Sequence, residues 1–211
     1  MSLFLFEGSR IASNNKRLPG LSNAKKLAFL FQAPVYIQEV ILAFGINNAY
    51  SIKNTKVGSY KEKDSLVDWM QNNMVIIDDG NEVNGCNLYT HFRERDGEVV
   101  VLRNDELKEF FEELHQISKK YSKDLMWIPH KNSALLFTYW LTNGKPSEMK
   151  LTLTDFHEIL DLNPSLYYSY QQLEKRLVVV KNVMDECGYE FTYQKDDPKY
   201  GHSELIAFKK R

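Results

Sequence analysis

From Ser133 to Leu141 the chain carries Leu135, Leu136, Phe137, Tyr139, Trp140 and Leu141, so a helix here is apolar nearly all round. Such a helix has no face suited to water and must be covered on every side, as it would be between two domains. Ser133 stands where an N-cap would, and Gly144 and Pro146 are stop signals just past Thr142. Met149 to Leu151 then reads as a short strand, and Thr154 as the cap of a helix of one to two turns from Phe156 to Leu162. Asn163-Pro164 is a turn. A longer helix runs from Tyr168 to Cys187 and is closed by Gly188. Tyr189 to Gln194 and Glu204 to Phe208 pair across a turn rich in Asp, Pro and Gly. The order helix, strand, helix, turn, helix, strand, wing, strand is that of a winged helix-turn-helix, which few other small folds share.

Upstream the signals are mixed. Leu3 to Phe6 suits a strand and Asn23 to Phe31 a helix. Pro34 opens the apolar segment Val35 to Phe44 and Gly45 closes it, which fits a helix, although the β-branched content also permits a strand. Asp64 can cap a short helix through Met70, and Met74 to Ile77 reads as a strand. Strand-like runs either side of Asp96-Gly97, Cys86 to Phe92 and Glu98 to Leu102, predict a hairpin. Asn104 is a candidate N-cap with Asp105 and Glu106 in the first turn. Leu107, Phe111, Leu114 and Ile117 then repeat at helical spacing, and Lys119 and Lys120 suit the last turn. Leu125 to Ile128 reads as a short strand ended by Pro129. The expectation is an α+β fold of two winged-helix-like domains, residues 1–130 and 131–211, with the C-terminal one the more clearly marked.

The net charge of the 211-residue chain is −1, so contact with phosphate must come from a local basic face and not from a global positive field. Cys86 and Cys187 lie far apart and outside any metal-ligand spacing, and the five histidines do not cluster with them, so two free thiols and no metal site are expected. No apolar run is long enough to span a bilayer, and Ser-Leu-Phe-Leu-Phe at the start lacks the basic region of a secretory signal. A cytoplasmic protein without a membrane partner is the expectation. P-loop, GxSxG and HExxH patterns are missing. His157-Glu158 has no second ligand motif, and Asp78-Asp79 reads more readily as a polar strand-end turn than as a pair of nuclease carboxylates. No enzyme activity, catalytic residue or cofactor is expected.

In a helix-turn-helix the second helix enters the major groove of duplex DNA with its N-terminal residues on the bases. Leu173, Leu177, Val180 and Met184 form the core stripe of the long helix, which leaves Gln171 and Lys175 on its far face, Gln172 and Arg176 flanking and Ser169 in the first turn. Gln and Arg read adenine and guanine edges, and Ser and Lys are common phosphate contacts. The same side chains would also serve as an ordinary solvated helix face. In the wing, Lys195, Lys199, Tyr200 and His202 are candidates to follow the backbone, although Asp196 and Asp197 share that turn. Lys209-Lys210-Arg211 reads as a short solubilising tail.

The run Leu151-Thr152-Leu153-Thr154-Asp155-Phe156-His157-Glu158-Ile159-Leu160-Asp161-Leu162, then Tyr168-Ser169-Tyr170, then Leu173-Glu174-Lys175-Arg176-Leu177, resembles the second winged helix of the plasmid replication initiators that bind iterons at theta-type origins. The resemblance extends back to about Asn87 through the hairpin, the helix from Asp105 to Lys120 and the apolar helix at Ser133. It implies sequence-specific binding of double-stranded DNA and replication initiation at a plasmid or phage origin. It also implies basic recognition-helix contacts at Lys175 and Arg176, a first domain that carries dimerisation and further DNA contacts, and host replication proteins as partners. The chain is less basic than such initiators, and residues 1–60 match no part of the pattern. The alternative is a winged-helix protein–protein interaction module of a phage or mobile element.

Overall fold

The computed structural model describes residues 2–7, 18–53, 68–78, 83–95, 98–166, 169–195 and 203–211. In chain order the elements are β1 (Ser2–Glu7), α1 (Leu21–Gln32), α2 (Val35–Phe44), β2 (Ala49–Lys53), β3 (Asn73–Asp78), β4 (Val83–Asn87), β5 (Tyr89–Arg95) and β6 (Glu98–Arg103). A 3₁₀ turn at Asp105–Leu107 leads into α3 (Lys108–Lys120), followed by α4 (Lys131–Thr142), β7 (Met149–Thr152), α5 (Leu153–Leu160), α6 (Tyr170–Glu186), β8 (Tyr189–Lys195) and β9 (Ser203–Lys210). The fold is mixed α+β, with three small sheets ordered β1-β3-β4, β2-β6-β5 and β7-β9-β8. The chain divides into two compact units, Met1–Asn15 with Pro34–Ser122, and Lys16–Ala33 with Lys123–Arg211.

In the first unit, β1 pairs parallel with β3, which pairs antiparallel with β4. β5 and β6 form the antiparallel hairpin expected around Asp96-Gly97, with Arg95 opposite Glu98 and a register shift between Tyr89 and His91. Asp96 and Gly97 themselves, and Asp64, lie outside the described residues. Asn104 caps the following turn by accepting from Glu106 N–H at 3.1 Å. Helix α3 buries Phe110, Phe111 and Leu114 against α2, with Phe44 and Phe111 edge to face at 5.3 Å between ring centres. That packing needs Gly45: a Cβ there would lie 2.4 Å from His115 Cβ and 2.6 Å from the carbonyl oxygen of Phe111. The end of α2 is closed by buried Arg103, whose Nη1 donates to Phe44 O at 2.7 Å while its Nη2 reaches Asp105 at 3.0 Å. An arginine in that place supplies a fixed fork of donors to carbonyls left over at a helix end.

The second unit is built around α4, whose residues from Asn132 to Leu141 are all buried. Its apolar circumference explains why. Helix α1 lies along it, and the Thr138 hydroxyl sits 2.8 Å from Ala24 O on α1 and 2.7 Å from Ala134 O on its own helix. Another flank carries an aromatic cluster in which Phe137 is 4.7 Å from Tyr189, 5.5 Å from Phe208 and 5.5 Å from Trp140 between ring centres. Phe191 joins Phe208 at 4.7 Å, and Phe31 of α1 meets Phe137 at 6.2 Å. The order α4, β7, α5, α6, β8, β9 follows the order read from the sequence, and β9 lies between β7 and β8, antiparallel to both.

Four local expectations are corrected. Residues 125–129 form no strand; Ile128 N–H donates to Phe31 O at 2.7 Å, so the segment is tied to the end of α1 instead of to a sheet. The cap of α4 is His130, not Ser133, which lies one turn inside and is fully buried. The cap of α5 is Thr152, not Thr154, because Thr152 and Asp155 satisfy each other in a capping box. The basic C-terminal residues are not a tail: Lys209 and Lys210 belong to β9, and Arg211 binds Asp185 of α6 at 2.7 Å.

Candidate nucleic-acid interface

The α5–turn–α6 segment is held by short-range chemistry at each junction. Asp155 Oδ2 accepts from Thr152 N–H at 2.7 Å and from its hydroxyl at 2.8 Å, and Thr152 Oγ1 accepts from Asp155 N–H at 3.2 Å. Asp161 ends α5 in the left-handed region, φ 51°, a conformation that a short polar side chain tolerates better than a bulky one. Its carboxylate, 13% exposed, lies between Lys25 of α1 and Lys131 of α4, so one acid ties the end of α5 to two other helices. Asn163 then turns the chain, its Oδ1 accepting from Ser165 N–H at 2.9 Å. Ser169 is the N-cap residue of α6, but its side chain makes no capping bond.

Helix α6 buries the expected stripe of Leu173, Leu177, Val180 and Met184. This fixes the opposite face outward. Gln171 and Lys175 are exposed on it, and Ser169, Gln172 and Arg176 are half-buried. Gln172 is turned so that its Oε1 is buried and accepts no hydrogen bond. Val178, Val179 and Asn182 complete the outward face. The two valines are missed because an apolar residue in an amphipathic helix is ordinarily assigned to the core, although Val178 and Asn182 stand seven and eleven positions beyond Gln171, on the same line. In the second hairpin only the backbone of Lys195 is described, paired with Glu204. Lys199, Tyr200, His202, Asp196 and Asp197 lie outside the described residues.

The charge of Arg176 on α6 reaches His130, the cap of α4. Its Nδ1 accepts from Ser133 N–H at 3.3 Å and lies 2.9 Å from the Ser133 hydroxyl, so the capping ring is neutral with its hydrogen on Nε2. Burial, and after it the positive charge of Arg176, hold its pKa below the usual histidine value. The neutral ring is therefore favoured in the folded chain, and the unfolded chain takes up the proton first as pH falls. The stability contributed by the neutral ring is complete above the unfolded pKa of about 6.5 and declines as pH drops through that value toward the folded pKa. Thermal melts from about pH 7 down to pH 5 should show this loss, and His130→Asn, which keeps a capping oxygen but does not titrate, should reduce it. Equal acid sensitivity in the two proteins would rule the cap out as its source.

Among the described residues, no group of three or more His, Cys, Asp or Glu is placed to hold a metal ion, and no helix is long and apolar enough to cross a membrane. Neither Cys86 nor Cys187 is in a disulfide. Neither the models of known protein families nor the sequences of curated proteins match this chain.

Proposed function

We propose that this protein binds double-stranded DNA in a sequence-specific manner through α6, and that it acts as a replication initiator at a plasmid or phage origin. The observation that carries the DNA-binding reading is the strand order β7-β9-β8 behind the run α4, β7, α5, α6, β8, β9. In a winged helix the strand between the first two helices pairs with the second strand of the wing hairpin, and β7 and β9 stand in that relation. Helix α6 is then the recognition helix, with an exposed lysine and amide on its outward face. In the first unit β2-β6-β5 repeats this strand order, with α2 ahead of β2 and the β5–β6 hairpin behind, but in sequence β3 and β4 stand between β2 and β5 where a winged helix has its two helices. The initiator role rests on the likeness of Leu151 to Leu177 to the second domain of such initiators, and on no other observation. In that role the chain would dimerise, recruit host replication proteins and catalyse no covalent step.

The net charge of −1 favours a second reading, a winged-helix module that binds another protein. Salt separates the two. Binding of purified protein to duplex fragments from around its own gene should select a repeated sequence, and log affinity should fall with log salt by about 0.9 per phosphate contacted. No retention of any fragment at low salt would abandon the DNA reading for the protein-partner one.

A further inference from the structure

Val178 and Val179 stand 44% and 39% exposed in the middle of α6. A helix that only tracked phosphates would gain nothing from apolar groups there. Gln171, Lys175, Val178 and Asn182 follow one line along the helix, with Val179 beside it. From Gln171 to Val178 the helix advances about 10 Å, or roughly three base-pair steps. Exposed Glu186 comes one turn after Asn182, where a carboxylate would oppose phosphate, so the contacting segment ends near Asn182.

The major groove offers one apolar group, the C5-methyl of thymine, while adenine presents an acceptor and a donor that side-chain amides match. A valine isopropyl gains contact from that methyl and gains nothing from the polar edges of a G·C pair. The apolar patch is also small and bracketed by Gln171, Lys175 and Asn182. A protein partner or a second copy would call for a contiguous apolar centre, which two valines do not supply. We infer that Val178 and Val179 read thymine methyl groups in the major groove, with Gln171 and Asn182 on adenine edges, so that α6 selects A·T base pairs. This rests on α6 being the recognition helix.

The test uses the full chain to select duplexes from a library with a randomised core. The recovered duplex is then made with thymidine or with deoxyuridine, which pairs identically but lacks the methyl. The deoxyuridine form should bind the unaltered chain about fivefold more weakly for each methyl read. Val178→Ser with Val179→Ser should bind the two forms within about twofold of each other, at an unchanged melting temperature because both side chains are exposed. Equal affinity of the unaltered chain for both forms, or the same ratio in the double variant, overturns the inference and leaves DNA binding in place. A library that yields no salt-sensitive binding overturns the DNA reading and this inference together.

Discussion

Replacing Lys175 and Arg176 together with alanine is expected to weaken binding to the selected duplex by about 100-fold or more while leaving thermal stability nearly unchanged. Lys175 is exposed and Arg176 half-buried on α6, whose packing is supplied by Leu173, Leu177, Val180 and Met184. Removal of the two cations therefore takes nothing from the core of the helix, and alanine is the better helix former. The loss has two parts. A phosphate contact given up reduces the slope of log affinity against log salt by about one, and a base contact given up relaxes discrimination at one position. The positive charge of Arg176 also acts on His130, so its removal lifts one of the two causes that depress the histidine pKa. The variant should consequently show a milder loss of stability in acid. Fluorescence anisotropy against salt, with a melt at each pH, reads all three effects. Unchanged affinity in the double variant would remove α6 as the recognition helix.

Phe137→Ala should have the largest effect on stability, about 4 kcal/mol, with a fall in melting temperature of about 10 °C. Phe137 is fully buried, and its ring meets those of Phe31, Trp140, Tyr189 and Phe208. These five residues come from α1, α4, β8 and β9, so the ring fills the place where both helices meet the sheet. Alanine leaves a void that aromatic neighbours, with few rotamers open to them, cannot close. Phe137→Leu should cost much less because it retains most of the volume. Calorimetry on the full chain checks both, and a fall of less than about 5 °C for the alanine variant would mean that the cluster does not hold the unit together.

What could be read from the sequence depended on how far apart the deciding residues lie. Helix α3 is plain because its capping Asn104, its stripe and its last turn are local, α6 because its stripe and closing Gly188 are, and Asp96-Gly97 marks its hairpin for the same reason. The strand expected at Leu125 to Ile128 failed because extended backbone is a local preference, whereas a strand needs a partner. Here the neighbour of Ile128 is Phe31, the end of a helix. At α4 the cap is not legible, because serine is a common N-cap residue and an imidazole fills that position only in its neutral form. On α6 the spacing of the core stripe puts Gln171, Lys175 and Val178 alike outward, and only the polar two stand out as candidates because an apolar side chain is ordinarily assigned to the core. The place of α1 beside α4 was beyond reach, because nothing near Ala24 names Thr138 as its partner.

That pairing bears on how the chain is made. Residues 34–122 are in effect an insertion within the second unit, between α1 and the rest of it. During synthesis α1 emerges before α4 with an apolar surface and waits for it, since α4 lies more than a hundred residues downstream. The closure entropy of that long loop grows only slowly with length and falls further once the intervening unit has folded. The delay nonetheless leaves Leu27, Leu30 and Phe31 without their final neighbours until α4 has been added. A fragment that begins at Lys123 would lack α1 altogether and present the side of α4 that α1 covers to water, so the second unit is an object made from two separate stretches of sequence.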